Sequence, residues 1–172
     1  MKRALIVIDM LHDFIDEHGA LYCGLPARQI VPRVAERIRK FHDKAWPVIF
    51  TCDHHDPHDA EFQMFPPHAV ADSPGAQLIP EMGARADDYR LPKTRFDAFY
   101  GTELDRVLEA EGVCEVEVAG VCTSICVLFT VQSLRNRDYP VTVRRDCVAD
   151  FDAAAHEFAL THMAKVLGAK VL

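Results

Sequence analysis

No apolar run in the 172 residues approaches the roughly 20 that a membrane-crossing helix needs. Internal repeats, low-complexity tracts and interdomain linkers are also missing, so 1–172 reads as one domain. Positive charge is scarce. Nineteen Lys and Arg against 26 Asp and Glu leave a formal charge of −7, which argues against nucleic acid or an anionic membrane as the main partner. The six cysteines, at 23, 52, 114, 122, 126 and 147, have no disulfide-framework spacing. With 49% hydrophobic residues the chain can build a core without staples, so free thiols in a reducing cytoplasm are expected. The amino terminus starts charged, but Asp9 interrupts its apolar run after five residues, which makes it a strand and not a secretory signal.

What is present alternates between strand and helix. Ala4–Ile8 is a continuous aliphatic run of the kind buried on both faces of a parallel sheet; it ends in Asp9, with Asp13 and Phe14 just beyond. Residues 18–26 hold two glycines and a proline and form a loop. Ile30, Val34, Ile38 and Phe41 share one face of a helix over 27–44. Residues 46–52 form a second buried strand, followed by a loop of ligand-type residues, CDHHDPHDAEFQMFPPHAV, over 52–70. Residues 75–90 read as irregular, and Lys93 lies in a further loop, LPKTRFDAFYGT. A helix over 103–111 has Thr102 as its cap. In the strand over 114–119, Val116 and Val118 alternate with Glu115 and Glu117. A helix over 124–137, a strand over 141–144 leading to Asp146, a helix over 152–167 and a short strand over 169–172 complete the chain. This order predicts an α/β domain, a parallel sheet with helices on both faces.

Between the strand at 114–119 and the helix at 124–137 lie Gly120, Thr123, Ser124 and two cysteines, Cys122 and Cys126. Cys126 is expected in the first turn of the helix, where unpaired N–H groups and the helix dipole favour the nucleophilic thiolate. A cysteine taken alone is more often a small core residue; its company argues otherwise. Sites in parallel sheets lie beyond the carboxyl ends of the strands. Asp9, the 53–68 cluster and Cys126 each follow a predicted strand, and the loop of Lys93 can reach the same edge.

Three separated stretches, IDMLHDF at 8–14, KTRFDAFYGT at 93–102 and GVCTSICV at 120–127, resemble the cysteine hydrolases of the isochorismatase-like superfamily. DHH at 53–55 and EFQMFPPH at 61–68 resemble its metal-binding nicotinamidases, and the likeness continues through HEFAL, Met163 and LGAK at 156–170. The resemblance implies a three-layer, Rossmann-like fold and a triad of Asp9, Lys93 and Cys126. Asp9 would carry the proton, Lys93 would keep the Asp9 carboxylate and Cys126 thiolate ionised, and Cys126 would attack an amide carbonyl to give a thioester. It also implies a cis peptide at Val121–Cys122, with the backbone N–H groups of Cys122 and Cys126 facing the oxyanion. Ser124 stands where such proteins often have aspartate.

The same resemblance assigns Asp53, His55, Glu61 and His68 to one divalent transition metal, zinc first with iron or manganese as alternatives. His54 and His58 fall outside the set, although His58 is an alternative to Glu61. Phe14 and Phe65 are implied to line a ring pocket. The implied activity is hydrolysis of nicotinamide to nicotinate and ammonia by a cytoplasmic homo-oligomer acting on a small-molecule amide. The nearest rival is an amidase for a carbamoyl or ureido group, with a vestigial metal loop; isochorismate hydrolysis ranks lower. A redox protein would use Cys122 and Cys126, but their spacing is Cys-x-x-x-Cys and not Cys-x-x-Cys. A non-catalytic metal-binding module explains the histidines and leaves the thiol without a task.

Overall fold

The aliphatic run near the amino terminus is strand β1 (Arg3–Ile8) in the computed structural model, which describes residues 2–172. Its alternate residues serve two cores. Leu5 and Val7 pack with Val34, Ile38 and Phe41 of helix α2 (Gly24–His42). Ala4, Ile6 and Ile8 pack with helices α3 (Leu104–Ala110), α4 (Leu128–Asn136) and α5 (Ala153–Lys165) on the opposite face. That double burial explains why the sequence shows an unbroken apolar run here.

The sheet has six strands in the order β3-β2-β1-β4-β5-β6, every pairing parallel. The remaining strands are β2 (Val48–Asp53), β3 (Tyr89–Lys93), β4 (Glu115–Val121), β5 (Val141–Ala149) and β6 (Lys170–Val171). The order reverses between β1 and β4. A crevice opens at such a switch point beyond the strand ends, and Asp9, Asp53, Lys93 and Cys122 all occupy that edge. No helix among the described residues is long and apolar enough to cross a membrane.

Several expectations are corrected. Lys93 is the last residue of β3, paired with Asp53, and does not lie in a loop. Arg90 and Pro92 interrupt the apolar pattern there, and the short strand has only one neighbour. The helix expected over 124–137 is two pieces, a π-helical turn at Thr123–Val127 and then α4. Strand β5 runs past Arg144, because its register against β4 slips between Val118 and Gly120 and lets the charged residues 144–146 swing outward before Val148 pairs with Gly120. A one-turn helix, α1 (His12–Ile15), was not legible. Thr102, expected as the cap of α3, lies one residue before the N-cap position, Glu103, and its Oγ1 accepts from the Leu104 N–H at 3.2 Å; Asp152 caps α5 by accepting from the Ala154 and Ala155 N–H groups.

Glu117 departs from the alternation most. It is 2% exposed, beneath α2, and its carboxylate accepts from Arg37 Nε at 2.6 Å and Arg37 Nη2 at 2.8 Å. Arg3 Nη2 adds a longer contact of 3.5 Å. Removing one partner of a buried pair strands the other charge. Arg37→Ala is therefore expected to lower the unfolding free energy by about 3 kcal/mol in urea titrations, with Arg3 limiting the loss. A change below about 0.5 kcal/mol, the range of ordinary surface substitutions, would contradict this account of Glu117.

Candidate active site and metal centre

Lys93 ends β3 with its side chain fully buried between β1, β2 and the turn after β4. Its ammonium contacts Asp53 Oδ1, Asp9 Oδ2 at 2.8 Å and Cys126 Sγ at 3.5 Å. Asp9 follows β1 with a positive φ of 51°, and its Oδ1 accepts from the Asp53 N–H at 2.8 Å. The sequence-expected Asp9, Lys93 and Cys126 thus meet in one place. The peptide Val121–Cys122 is cis, and Gly120 before it has φ 118°, where an added Cβ would lie 2.0 Å from the Ile8 carbonyl oxygen. Only glycine lets β4 approach β1 this closely at the edge.

The electrostatics differ from those expected. Burial pushes the Cys126 thiol well above its ordinary range, and Lys93 opposes this without prevailing. Cys126 is held in a π-helical turn and not in the first turn of an α-helix. Burial, helped by the neighbouring Asp53 carboxylate, raises Asp9 to about 7 against the pull of Lys93. Burial works against the Lys93 ammonium, but Asp53 and Asp9 raise its pKa well above its ordinary value, and it is the cation beside a carboxyl poised near neutrality. Burial also works against the Asp53 carboxylate, but Lys93 and His55 bring it below its usual range.

Asp53 faces two ways. Beyond its Lys93 contact, Oδ2 lies 3.6 Å from His55 Nε2 and 3.8 Å from His68 Nε2. Glu61 Oε1 lies 3.9 and 3.7 Å from the same two nitrogens. These gaps are too long for hydrogen bonds and suit ligand atoms around a shared centre. His55 Nε2 is buried with no hydrogen-bond partner. Each ring is oriented from its far side: His55 Nδ1 is 3.1 Å from Asp59 Oδ2, and His68 Nδ1 is 2.7 Å from the Pro66 carbonyl oxygen. An orphaned nitrogen and two imidazoles held by Nδ1 fit a divalent cation with nitrogen and oxygen ligands. Burial lowers the His68 pKa, favouring the neutral imidazole that ligates; burial has the same tendency at His55, but Asp53, Asp59 and Glu61 raise it to about 9, so an ion there would displace a proton.

Glu61 and not His58 completes this group. His58 is exposed, as is His54, while Glu61 is 5% exposed and projects from a 3₁₀ turn at Ala60–Gln63. A second group of possible ligand atoms, Asp9, Asp53 and Cys126, already has the Lys93 ammonium among it.

Two aspartates with no assigned role in the sequence reading hold the loop in place. Asp59 caps the 3₁₀ turn through the Glu61 N–H, orients His55 and is gripped by Arg95 Nη1 at 3.0 Å. Although burial opposes it, those bonds lower its pKa to about 2. Asp13 accepts from Ala69 N–H at 2.8 Å and Ala20 N–H at 3.1 Å, tying the residue after His68 to α1. Neither has a periodic signal, because these bonds are set by how the 53–68 loop folds against itself, Arg95 and α1.

Both centres border one narrow cleft, lined by Asp9, Asp53, Glu61, His68, Cys122 and Cys126 together with a hydrophobic wall. Phe14 and Phe65 belong to that wall. Phe96, Phe151, Leu21 and Ile125 were not foreseen, since an isolated apolar side chain reads the same in sequence whether it lines a cleft or fills a core.

Comparison with known proteins places these features in context. The Isochorismatase domain model matches residues 3–172. The chain is similar to the solved nicotinamidase/pyrazinamidase PncA from Bacillus subtilis, 36% identical with a TM-score of 0.94 over 99% of each chain. It is also similar to the pyrazinamidase of Pyrococcus horikoshii solved in complex with zinc, 31% identical with a TM-score of 0.93 over 100% of this chain and 99% of that one. A relative from Arabidopsis thaliana named a probable inactive nicotinamidase is 35% identical over 98% of this chain and 88% of its own. Likeness of this degree therefore does not by itself secure activity.

Partners on the far side of a ligating histidine typically change metal affinity by about 10- to 100-fold when removed. Asp59→Ala is expected to weaken zinc binding by about that factor in competition titrations against a chromophoric chelator. Unchanged zinc affinity would remove Asp59 from the centre.

Proposed function

The chain belongs to the isochorismatase family, and from that premise and the geometry of the cleft we propose that it is a metal-containing cysteine amidohydrolase that converts nicotinamide to nicotinate and ammonia. The observation carrying this reading is Asp53, whose two oxygens join the histidine cluster to the Lys93–Cys126 group within one aromatic-walled cleft. A flat substrate with a ring nitrogen at one end and an amide at the other spans those two centres. Asp53, His55, Glu61 and His68 would hold the ion, which when bound supplies a coordination position for the ring nitrogen and so orients the amide.

The remaining steps belong to the chain's own residues. Asp9 accepts the Cys126 proton as Sγ attacks the amide carbon, and the Lys93 ammonium stabilises the separated charges. The tetrahedral oxyanion is received by the backbone N–H groups of Cys122 and Cys126. Collapse breaks the C–N bond, Asp9 returns the proton to the nitrogen, and ammonia leaves. Water deprotonated by Asp9 then cleaves the thioester and releases the acid. Substrates with a carbamoyl or ureido group and an acid tail are poorly matched, because the lining carries three carboxylates and no arginine among the described residues.

Ammonia assays on three amides test the reading. Pyrazinamide keeps a nitrogen at the equivalent ring position and should be hydrolysed, whereas benzamide should fall by about 10²-fold or more in kcat/KM. Benzamide turned over as well as nicotinamide would remove the ion-anchored pocket, and activity confined to a ureido compound would replace the substrate. Cys126→Ala is expected to abolish hydrolysis and Cys122→Ala to retain most of it, because Cys122 contributes its backbone N–H. Turnover surviving in the Cys126 variant would overturn the thioester route.

A further inference from the structure

The turn between Cys122 and Cys126 is held from outside. Within it, Ile125 N–H and Val127 N–H both bond to the Cys122 carbonyl, at 3.1 and 3.2 Å. Ser124 N–H turns away and donates instead to Asp150 Oδ2 at 2.7 Å. Asp150 lies just past the end of β5, is 4% exposed, and fixes its own carboxylate by accepting from Asp152 N–H at 3.2 Å. One residue earlier in the turn, the buried Thr123 hydroxyl meets His156 Nδ1 of α5 at 2.9 Å. The β5–α5 corner thus grips both residues that separate Cys122 from Ile125 and Cys126.

From this geometry we infer that Asp150 is a positioning residue for the oxyanion-binding turn. The inference rests on the amidase reading, in which the Cys122 and Cys126 N–H groups receive the developing negative charge. Asp150 touches neither the nucleophile nor the substrate. A carboxylate close to an oxyanion opposes it electrostatically, so its contribution is geometric. It fixes the Thr123–Ser124 peptide, and with it the direction of the N–H groups on either side. Preorganised donors are effective only when aimed where charge develops, and small displacements are costly. The Ser124 N–H, lacking a partner within the turn, is the lever.

The test compares Asp150→Ala, Asp150→Asn and Asp150→Glu with the wild type in the full-length, zinc-loaded protein. Asparagine keeps one acceptor oxygen at the same reach for the Ser124 N–H and gives up the one that accepts from the Asp152 N–H, whereas glutamate keeps the charge and moves both acceptors by one methylene; glutamate replaces the alanine variant if that one fails to fold. In Asp150→Ala, kcat for nicotinamide is expected to fall by about 10- to 100-fold with KM changed by less than about threefold. Alkylation of Cys126 by iodoacetamide forms no oxyanion, so its rate should stay within about twofold. Hydrogen exchange of the 122–127 backbone should accelerate in the alanine and glutamate variants, with asparagine close to the wild type in both kcat and exchange.

Unchanged kcat and exchange in Asp150→Ala would overturn the inference. So would a parallel loss of alkylation, which would mean that Asp150 acts through the thiol, or an asparagine variant whose kcat falls as far as that of alanine while its exchange stays at the wild-type rate, which would mean that charge and not anchoring matters. A wild type that hydrolyses no amide would instead defeat the amidase reading, and the exchange measurement alone would then decide whether Asp150 holds the turn.

Discussion

The buried ammonium of Lys93 is the constraint on which the rest of the site depends. A lone charge in this position would cost several kcal/mol in desolvation, so Lys93 is stable only because Asp9, Asp53 and Cys126 surround it. Those partners come from the ends of β1 and β2 and from the turn after β4, three elements that meet only when the parallel sheet has formed in its observed order. The two carboxylates beside that cation are nevertheless driven apart in pKa by their other neighbours. Against burial, Lys93 and His55 bring Asp53 below the usual carboxylate range, while burial and the Asp53 charge raise Asp9 to about 7.

Around that charge cluster the molecule supports its reactive groups from behind. Asp59 orients His55, the Pro66 carbonyl orients His68, Asp13 secures the residue after His68, and Asp150 anchors the turn of Cys126. Each support is a buried or half-buried acceptor that satisfies a backbone or ring N–H otherwise left without a partner. Such groups must find acceptors when removed from water, so the same bonds that satisfy the backbone also fix the angles of the site. Phe151 follows directly on Asp150 and joins the cleft wall, so one corner both shapes the cleft and braces its turn.

Much of this was legible because it is carried by local pattern. The aliphatic runs at Ala4–Ile8 and 46–52 identify buried parallel strands, and strand–helix alternation identifies the layered fold. The residues placed in the triad and the four proposed metal ligands lie in compact stretches whose residue types announce their chemistry. Asp59, Asp13 and Asp150 were silent because an isolated aspartate most often faces water, and only the folded chain shows which N–H groups it accepts from.

Composition and periodicity determined that this chain folds as one parallel α/β domain, and residue type determined which side chains have chemistry to offer at its carboxyl edge. The tertiary structure decided what those groups are once assembled. Placing Lys93 on β3, burying Cys126 in a π-helical turn and turning Glu117 inward beneath Arg37 all depend on neighbours distant in sequence. A pKa, a ligand set or a buried ion pair is a property of which groups become neighbours as water is excluded, and that is set only when β1 to β5 align.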